Sequence, residues 1–406
     1  METRPALAPL AACLAMLLAG AAAFGADTPV GGPGTAAAAQ QPAAPPPAEP
    51  FDSSRPEIRR FAREVSHRDG FSRRRVLRLL AHARPQPQIL DLMSRPPERV
   101  LEWWEYRQHF VTEKRIDQGV RFWLAHRGEL ERVASEQGVP PQLIVAILGC
   151  ETFYGRNTGR DRVLDSLATL AFDYPPRARY FRGELEQFLL LTRETHLDPL
   201  TVKGSYSGAM GAPQFMPSAY RRYAVDESHD HHRDLWNDWP DVFASVAHYL
   251  RVNGWQPGEP VIADARLDPD AAFQLDARGV LQATLAGLSA EGVSVDLPLP
   301  GSTPAILVPA EQADGPAYRV GFNNFRVIMR YNRSTRYAMA VNDLAESIAA
   351  RGRDSRVGTR RERFVCQAAA TVCQEGAGVV VEALADTCGG TCCGGGCVVC
   401  VASAAV

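Results

Sequence analysis

The chain has 406 residues, of which 46% are hydrophobic and 22% charged, and its formal net charge is −2. This length and composition fit a globular protein with one large core or two moderate ones, and they exclude a disordered chain. The near-neutral charge leaves no overall basic field, which argues against nucleic acid as a partner.

The N-terminus has the layout of a secretory signal peptide. Arg4 precedes an apolar stretch from Leu7 to Phe24, and small residues follow. We therefore expect residues 1–26 to direct export to the periplasm or cell envelope. Membrane anchoring by this segment stays open, because about 18 apolar residues is near the lower limit for a spanning helix. Lipidation at Cys13 has a Leu-Ala-small-Cys pattern in its favour, but the apolar run follows Cys13 instead of preceding it.

The cysteines do not suggest a disulfide framework for the folded body. Cys150 stands alone there, and seven of the nine cysteines crowd between Cys366 and Cys400. The glycine-rich tail over 358–406 lacks the spaced ligand pairs of a metal site. We expect this tail to be functionally silent. The alternative is a secreted redox or metal protein whose activity needs the tail.

The rest of the chain has the patterning of a mainly α, α+β protein. Residues 27–50 form a Pro/Ala-rich tether that is too poor in large apolar groups to fold. Helical spacing dominates residues 51–255, short apolar stretches indicate a β-rich subdomain over 256–322, and helix returns over 323–352. The expected architecture is one helical domain that carries a β-rich insertion, and we expect a monomer.

Glu151 places a carboxylate on a core helix. Pro141 suits the first turn, and apolar residues then repeat at three- and four-residue spacing from Leu143 to Leu148. Glu151 falls on the same face, and Gly155 is placed to end the helix. Desolvation at such a site raises the pKa of a carboxyl group, which suits a general acid. A buried glutamate paired with a nearby arginine is the structural alternative.

A second cluster is rich in glycine and hydroxyl groups. Between Gly204 and Ser218 the glycines allow tight turns, while Ser205 and Gln214 offer polar partners for sugar groups. The glycine spacing matches no phosphate-binding loop, and a structural turn between helices is the alternative. Aromatic rings suited to stacking on sugars or to packing in a core are Tyr180, Phe181, Phe215, Tyr249, Trp255, Tyr331 and Tyr337.

Together these segments resemble the B-type lytic murein transglycosylases. The resemblance runs from about residue 55 to residue 352 and rests on ordered motifs. It implies a lysozyme-like catalytic domain that cleaves peptidoglycan glycan strands between N-acetylmuramic acid and N-acetylglucosamine, leaving a 1,6-anhydromuramoyl end. The motifs are ETFYG at 151–155, GSYSGAMG at 204–211, QFMPS at 214–218, DLW at 234–236, SVAHYL at 245–250 and RYN at 330–332.

The resemblance also implies roles for single residues. Glu151 matches the acid/base, which protonates the glycosidic oxygen and then deprotonates the muramoyl 6-hydroxyl, with no cofactor required. The positions that line the glycan groove correspond here to Ser205, Gln214, Phe215, Tyr180, Tyr249, Tyr331, Asn332 and Tyr337.

Two other classes of function stay open at this point. A hydrolase would use water and a second carboxylate from Asp161, Asp165 or Asp173. A non-catalytic peptidoglycan-binding protein would keep the groove and lack the chemistry, although the retained Glu151 favours the enzyme.

Members of the resembled family can carry an EF-hand-like calcium loop, and residues 226–232 occupy the matching place. His229 and His231 stand where small residues would ease the turn, and Asn237 replaces the closing glutamate. A structural Ca²⁺, adventitious zinc or copper on the histidines, and a solvated polar turn are all left open. The predicted ligands are Asp226, Ser228, Asp230, His232 and Asp241.

Overall fold

The computed structural model describes residues 49–94 and 101–353 of the chain. The predicted signal peptide, the tether up to residue 48 and the Cys-rich tail lie outside these ranges. Within the described ranges, no helix combines the length and the apolar character needed to cross a membrane.

The first part of the described chain is helical, and its helix ends follow local sequence rules. Pro56 occupies the first turn of the first helix, and Gly70 ends that helix in the left-handed conformation. Thr112 caps a later helix by accepting the N–H of Arg115 at 3.2 Å. The helices are α1 (Pro56–Asp69), α2 (Arg73–Leu80), α3 (Pro87–Ser94), α4 (Trp103–Phe110), α5 (Glu113–Ala125), α6 (Arg127–Gln137) and α7 (Pro141–Thr152).

The next part adds four helices and a short ribbon to the same core. The ribbon pairs β1 (Asp161–Arg162) with β2 (Lys203–Gly204) in antiparallel register. The helices are α8 (Val163–Phe172), α9 (Ala178–Glu194), α10 (Pro217–Tyr223) and α11 (Trp239–Val252). α9 packs against α8 and α10, and α11 packs against α6. The chain between β2 and α10 is thereby held against the helical core.

Strands dominate the chain after α11. An antiparallel sheet has the order β3, β8, β7, β5, and β4 pairs with β6. Along β7, Ala305 and Leu307 face a small core of their own, while Ile306 and Val308 join the main core, as the two-residue period of a strand requires. The elements are β3 (Ile262–Asp264), β4 (Arg266–Leu267), β5 (Leu281–Thr284), α12 (Leu285–Ala290), β6 (Val293–Ser294), β7 (Pro304–Pro309) and β8 (Tyr318–Gly321).

Two helices then return to the main core. They are α13 (Asn323–Tyr331) and α14, which covers residues 335–353. Phe325, Ile328, Tyr337 and Leu344 are fully buried there. The predicted fold class, a mainly α protein with a small β-rich insertion, is confirmed. The residue limits assigned to separate domains stay a prediction.

Candidate active site

Glu151 lies in the last turn of α7 and is only 4% exposed. Its Oε1 accepts a hydrogen bond from the hydroxyl of Tyr337 at 2.7 Å. Tyr337 is fully buried on α14, and its pKa is raised well above the usual value, first by burial and then by the charge of Glu151. Tyr337 therefore stays protonated and orients the glutamate as a hydrogen-bond donor.

The end of α7 differs from the sequence prediction. The helix ends at Thr152, and Phe153 already takes the left-handed backbone conformation, with φ of 52°, before Tyr154 and Gly155 do the same. A non-glycine residue pays a steric penalty in that region, so packing must hold it there. Tyr154 supplies this packing, because it is buried and its hydroxyl donates to the backbone oxygen of Arg115 at 2.7 Å. The tight exit directly after Thr152 places Glu151 at the very end of the helix.

Thr152 joins the end of α7 to the glycine-rich cluster. Its hydroxyl donates to the backbone oxygen of Ala212 at 2.8 Å and accepts the N–H of Gly155 at 3.0 Å. Thr152 is fully buried, so both hydrogen bonds are shielded from water. This side chain therefore links the end of α7, next to Glu151, to the segment over residues 204–215, which we call the site loop.

The predicted sugar partners Ser205 and Gln214 both lie in the site loop and hold its shape. The Ser205 hydroxyl accepts the N–H of Ala209 at 2.9 Å and lies 3.0 Å from the hydroxyl of Ser207. The Gln214 amide donates to the backbone oxygens of Thr158 and Gly211, at 3.1 and 2.9 Å. Their roles in sugar binding stay predictions, while their roles in shaping the loop are visible.

Three of the predicted groove aromatics form one cluster beside the site loop. The Tyr249 and Tyr331 rings lie 4.8 Å apart, and Phe215 lies 5.7 and 5.8 Å from them. The Tyr331 hydroxyl donates to the backbone oxygen of Pro213 in the loop at 2.6 Å. Burial raises the pKa of Tyr249, whose hydroxyl donates to a backbone oxygen of α13. The next residue after Tyr331, Asn332, is 2% exposed.

Tyr180 lies instead on α9. Its ring meets that of Phe181 edge-on at 5.0 Å, and the guanidinium of Arg177 lies 4.7 Å from its centre. The structure thus brings Glu151, Tyr337, the site loop and the aromatic cluster together, and places Tyr180 on a separate helix.

The carboxylates considered for a hydrolytic mechanism lie in other settings. Asp165 accepts two hydrogen bonds from the guanidinium of Arg162, at 2.7 and 2.8 Å, and Asp173 accepts one from Arg55 at 2.8 Å. Asp161 lies in β1, where burial raises its pKa. The arginines beside Asp165 and Asp173 hold these carboxylates in ion pairs, which disfavours either one as a free base.

The segment from Asp226 to Asp241, predicted as a calcium loop, is organised by its own carboxylates. Asp241 is fully buried and accepts the N–H groups of Glu227, Ser228 and Asp234, at 2.7, 3.2 and 3.0 Å. Asp226 accepts the N–H groups of Asp230 and His231, and Asp230 accepts that of His232.

The predicted ligands offer the types of oxygen atom that Ca²⁺ binds, but their present positions do not form a metal site. Carboxylate, hydroxyl and backbone oxygens are what Ca²⁺ prefers. Across the described parts of the chain, however, no three or more His, Cys, Asp or Glu side chains are arranged to hold a metal ion. Calcium binding would require these side chains to converge on one point.

Sequence reasoning missed a group of cations around Phe153. The charged groups of Lys114, Arg115 and Arg156 lie 5.9, 5.3 and 5.8 Å from the centre of its ring. Arg115 is buried, and this burial lowers its pKa. Only Arg156 is close to Phe153 in the sequence, so no motif spacing pointed to this cluster. Thr152 was also missed, although its place beside Glu151 was a usable signal.

Comparison with known proteins identifies related chains. Residues 53–346 match the family described as the transglycosylase SLT domain. The chain is 40% identical over 306 residues to membrane-bound lytic murein transglycosylase B of Escherichia coli (strain K12), covering 73% of this chain and 84% of that protein.

Solved structures agree with these sequence matches. Soluble lytic transglycosylase SltB1 from Pseudomonas aeruginosa is 46% identical, with a TM-score of 0.69, and the match covers 73% of this chain and all of that chain. The Escherichia coli lytic transglycosylase SLT35 in complex with calcium is 38% identical, with a TM-score of 0.68, covering 75% of this chain and 96% of that chain.

Proposed function

Because this chain belongs to the transglycosylase SLT family and is a lytic transglycosylase acting on peptidoglycan, we propose that Glu151 is its single general acid and base. The proposed reaction cleaves the β-1,4 bond between N-acetylmuramic acid and N-acetylglucosamine and forms a 1,6-anhydromuramoyl end. The observation that carries this assignment is the hydrogen bond from Tyr337 to the buried carboxylate of Glu151.

The proposed chemistry passes one proton out of Glu151 and one back. Glu151 donates its proton to the glycosidic oxygen as the bond to muramoyl C1 breaks, and the substrate's own 2-acetamido group stabilises C1. The Glu151 carboxylate then takes the proton of the muramoyl 6-hydroxyl, whose oxygen forms the new bond to C1. No water is consumed, so the proposal needs no second carboxylate of the kind that most glycosidases use.

Changing Glu151 alone distinguishes an enzyme from a non-catalytic binding protein. Glu151→Gln is expected to lower the rate of peptidoglycan solubilisation by about 10³-fold, since general acid–base catalysis contributes roughly 10²–10⁴-fold. Binding to purified peptidoglycan should be kept, because glutamine can still accept the Tyr337 hydroxyl.

Glu186→Gln is the matched control. Glu186 is also a buried glutamate, but it is paired with Arg68 of α1 at 3.0 Å. This variant should keep its activity. A parent protein that binds peptidoglycan without solubilising it would favour the non-catalytic alternative.

The proposal extends to the Asp226–Asp241 segment and to location. We propose that this segment binds a structural Ca²⁺ that takes no part in the reaction, as the calcium complex of SLT35 suggests. Chelation with EGTA should then lower the melting temperature and leave kcat unchanged; an unchanged melting temperature would contradict the calcium proposal.

We also propose that the protein acts in the cell envelope, because its substrate is part of the cell wall.

A further inference from the structure

Glu184 is a buried carboxylate that the reaction proposed for Glu151 does not use. It lies on α9 and is 6% exposed. Burying a charged group costs free energy unless hydrogen bonds or an opposite charge compensate for the lost water. The partners of this carboxylate therefore indicate why it is kept inside the protein.

Both carboxylate oxygens of Glu184 are held by the first turn of α10. Oε1 accepts the hydroxyl of Ser218 at 2.7 Å, and Oε2 accepts the N–H of the same residue at 3.0 Å. An N–H group in the first turn of a helix has no acceptor within that helix. Met216, which precedes α10, makes no side-chain hydrogen bond to cap it. Glu184 therefore supplies the missing acceptor from another helix, and the two bonds fix the orientation of its carboxylate.

Glu184 also contacts Tyr180, which lies one turn earlier on α9. Residues four positions apart lie on one face of a helix, and the Tyr180 hydroxyl donates a hydrogen bond to the carboxylate. Burial raises the pKa of Glu184, while the hydrogen bonds from Ser218 and Tyr180 and the charge of Arg177 offset part of this rise. These three groups thus stabilise the charged form of the carboxylate.

These contacts connect Tyr180 with the site loop. Ser218 lies three positions after Phe215, which ends the site loop and belongs to the aromatic cluster. α9 and α10 also pack against each other. A series of contacts therefore runs from the end of the site loop through Ser218 and Glu184 to Tyr180, although Tyr180 lies on a separate helix.

We propose that Glu184 is a positioning residue for glycan binding, which holds the Tyr180 hydroxyl so that this ring keeps its place relative to the site loop. The effect falls on the affinity for the glycan and not on the bond-breaking step assigned to Glu151. The inference rests on the proposed function, because it takes Tyr180 to line the glycan groove. A purely structural role, in which Glu184 only caps α10, would change stability and leave glycan affinity as it is.

The test is a double-mutant cycle on binding. A β-1,4-linked tetrasaccharide of N-acetylglucosamine is titrated calorimetrically into Glu151→Gln protein, which also carries Glu184→Gln, Tyr180→Phe, or both. Each change alone is expected to raise Kd about tenfold, because a hydrogen bond to a buried charge is weakened or lost. The double variant should bind no more weakly than the weaker single variant, because both changes break the same contact.

Glu186→Gln is the matched control for the cycle. Glu186 lies on the same helix and is paired with Arg68, so its change should leave Kd unchanged. If Glu184→Gln does not fold, Ser218→Ala takes its place in the cycle, since it frees the carboxylate from α10 without removing it. An unchanged Kd, or losses that add up in the double variant, would overturn the proposal.

Steady-state kinetics on purified peptidoglycan give a second readout. With Glu151 present, Glu184→Gln should raise KM about tenfold and keep kcat within about twofold of the parent. A fall in kcat with an unchanged KM would contradict a role in binding. The calorimetry uses Glu151→Gln protein, so its result stands even if the assignment of Glu151 fails. That failure would appear separately, as a parent protein that cleaves nothing.

Discussion

In both the site loop and the Asp226–Asp241 segment, side chains satisfy backbone N–H groups, but the first segment is buried and the second is partly exposed. In both, side-chain oxygens accept backbone N–H groups: the Ser205 hydroxyl in the first, and the Asp241 carboxylate in the second. The site loop is buried almost throughout, and its left-handed positions include Gly208 and Gly211. The second segment is exposed around residues 229–232, where non-glycine residues take that conformation.

The difference follows from what a Cβ atom would meet. A Cβ on Gly211 would lie 2.5 Å from the backbone oxygen of Leu235, so no side chain fits. Around His229 and His231 the chain is exposed, and the cost is only the local backbone strain, about 1–2 kcal/mol per residue. The loop beside Glu151 is thus fixed by packing, whereas the exposed segment is open to adjustment.

The largest effect is expected from filling the space beside the site loop. A Cβ on Gly204 would lie 2.2 Å from the backbone oxygen of Ala209, so Gly204→Ala should destabilise the fold by about 3 kcal/mol. Gly183→Ala on α9 is the control, because its Cβ would meet nothing within 4 Å and should add about 1 kcal/mol of stability. Urea unfolding measures both. Similar values for the two variants would mean that the site loop is not tightly packed.

The next effect concerns the polar contact to Glu151. Tyr337→Phe should lower kcat by about ten- to hundredfold, because a buried carboxylate loses its donor. Tyr220→Phe removes another buried tyrosine hydroxyl, one bonded to the backbone of Arg233, and should keep kcat. Steady-state kinetics on purified peptidoglycan separates the two. Equal kcat values in the parent and Tyr337→Phe would show that the Tyr337 hydroxyl does not contribute to the reaction.

Thr152 offers a smaller and more local test of the same rigidity. Thr152→Val keeps the shape and loses the bonds to Ala212 and Gly155, which should cost about 1–3 kcal/mol. Thr152→Ser keeps the hydroxyl and should recover most of that loss. Thermal unfolding and kcat are measured together. A valine variant as active and stable as the serine variant would show that the Thr152 hydrogen bonds contribute nothing to stability or activity.

The smallest effect is expected in the exposed segment. His229→Gly and His231→Gly should each stabilise it by about 0.5–1 kcal/mol, since relief of backbone strain outweighs the greater freedom of unfolded glycine. His232→Gly should destabilise instead, because φ of His232 is not positive. Unfolding in EGTA isolates this effect from any metal. Calcium titration of the same variants should give tighter binding for the first two only, and weaker binding would show that the histidines help hold the ion.

Sequence patterns predicted the helix that carries Glu151, but the reason given for it was only partly right. The apolar spacing from Leu143 to Leu148 does precede Glu151 on a helix, yet α7 is buried on all sides from Leu143 to Thr152. An apolar face therefore did not single out Glu151. The helix end could not be predicted, because Phe153 is left-handed through the packing of Tyr154, which depends on the distant Arg115.

The β-rich region shows which features of the fold local sequence patterns cannot predict. The apolar stretches around Ile262, Val293 and Ile306 do form strands, as their composition predicts. Their order, with β8 between β3 and β7, depends on long-range pairing that no local pattern contains.

Mass spectrometry of the soluble products of a peptidoglycan digest tests the central assignment most directly. Muropeptides with 1,6-anhydromuramoyl ends from the parent, and none from Glu151→Gln, are the predicted result. Muropeptides with reducing ends would contradict the proposed mechanism and indicate a hydrolase, and the same anhydro products from Glu151→Gln would show that Glu151 is not the acid and base.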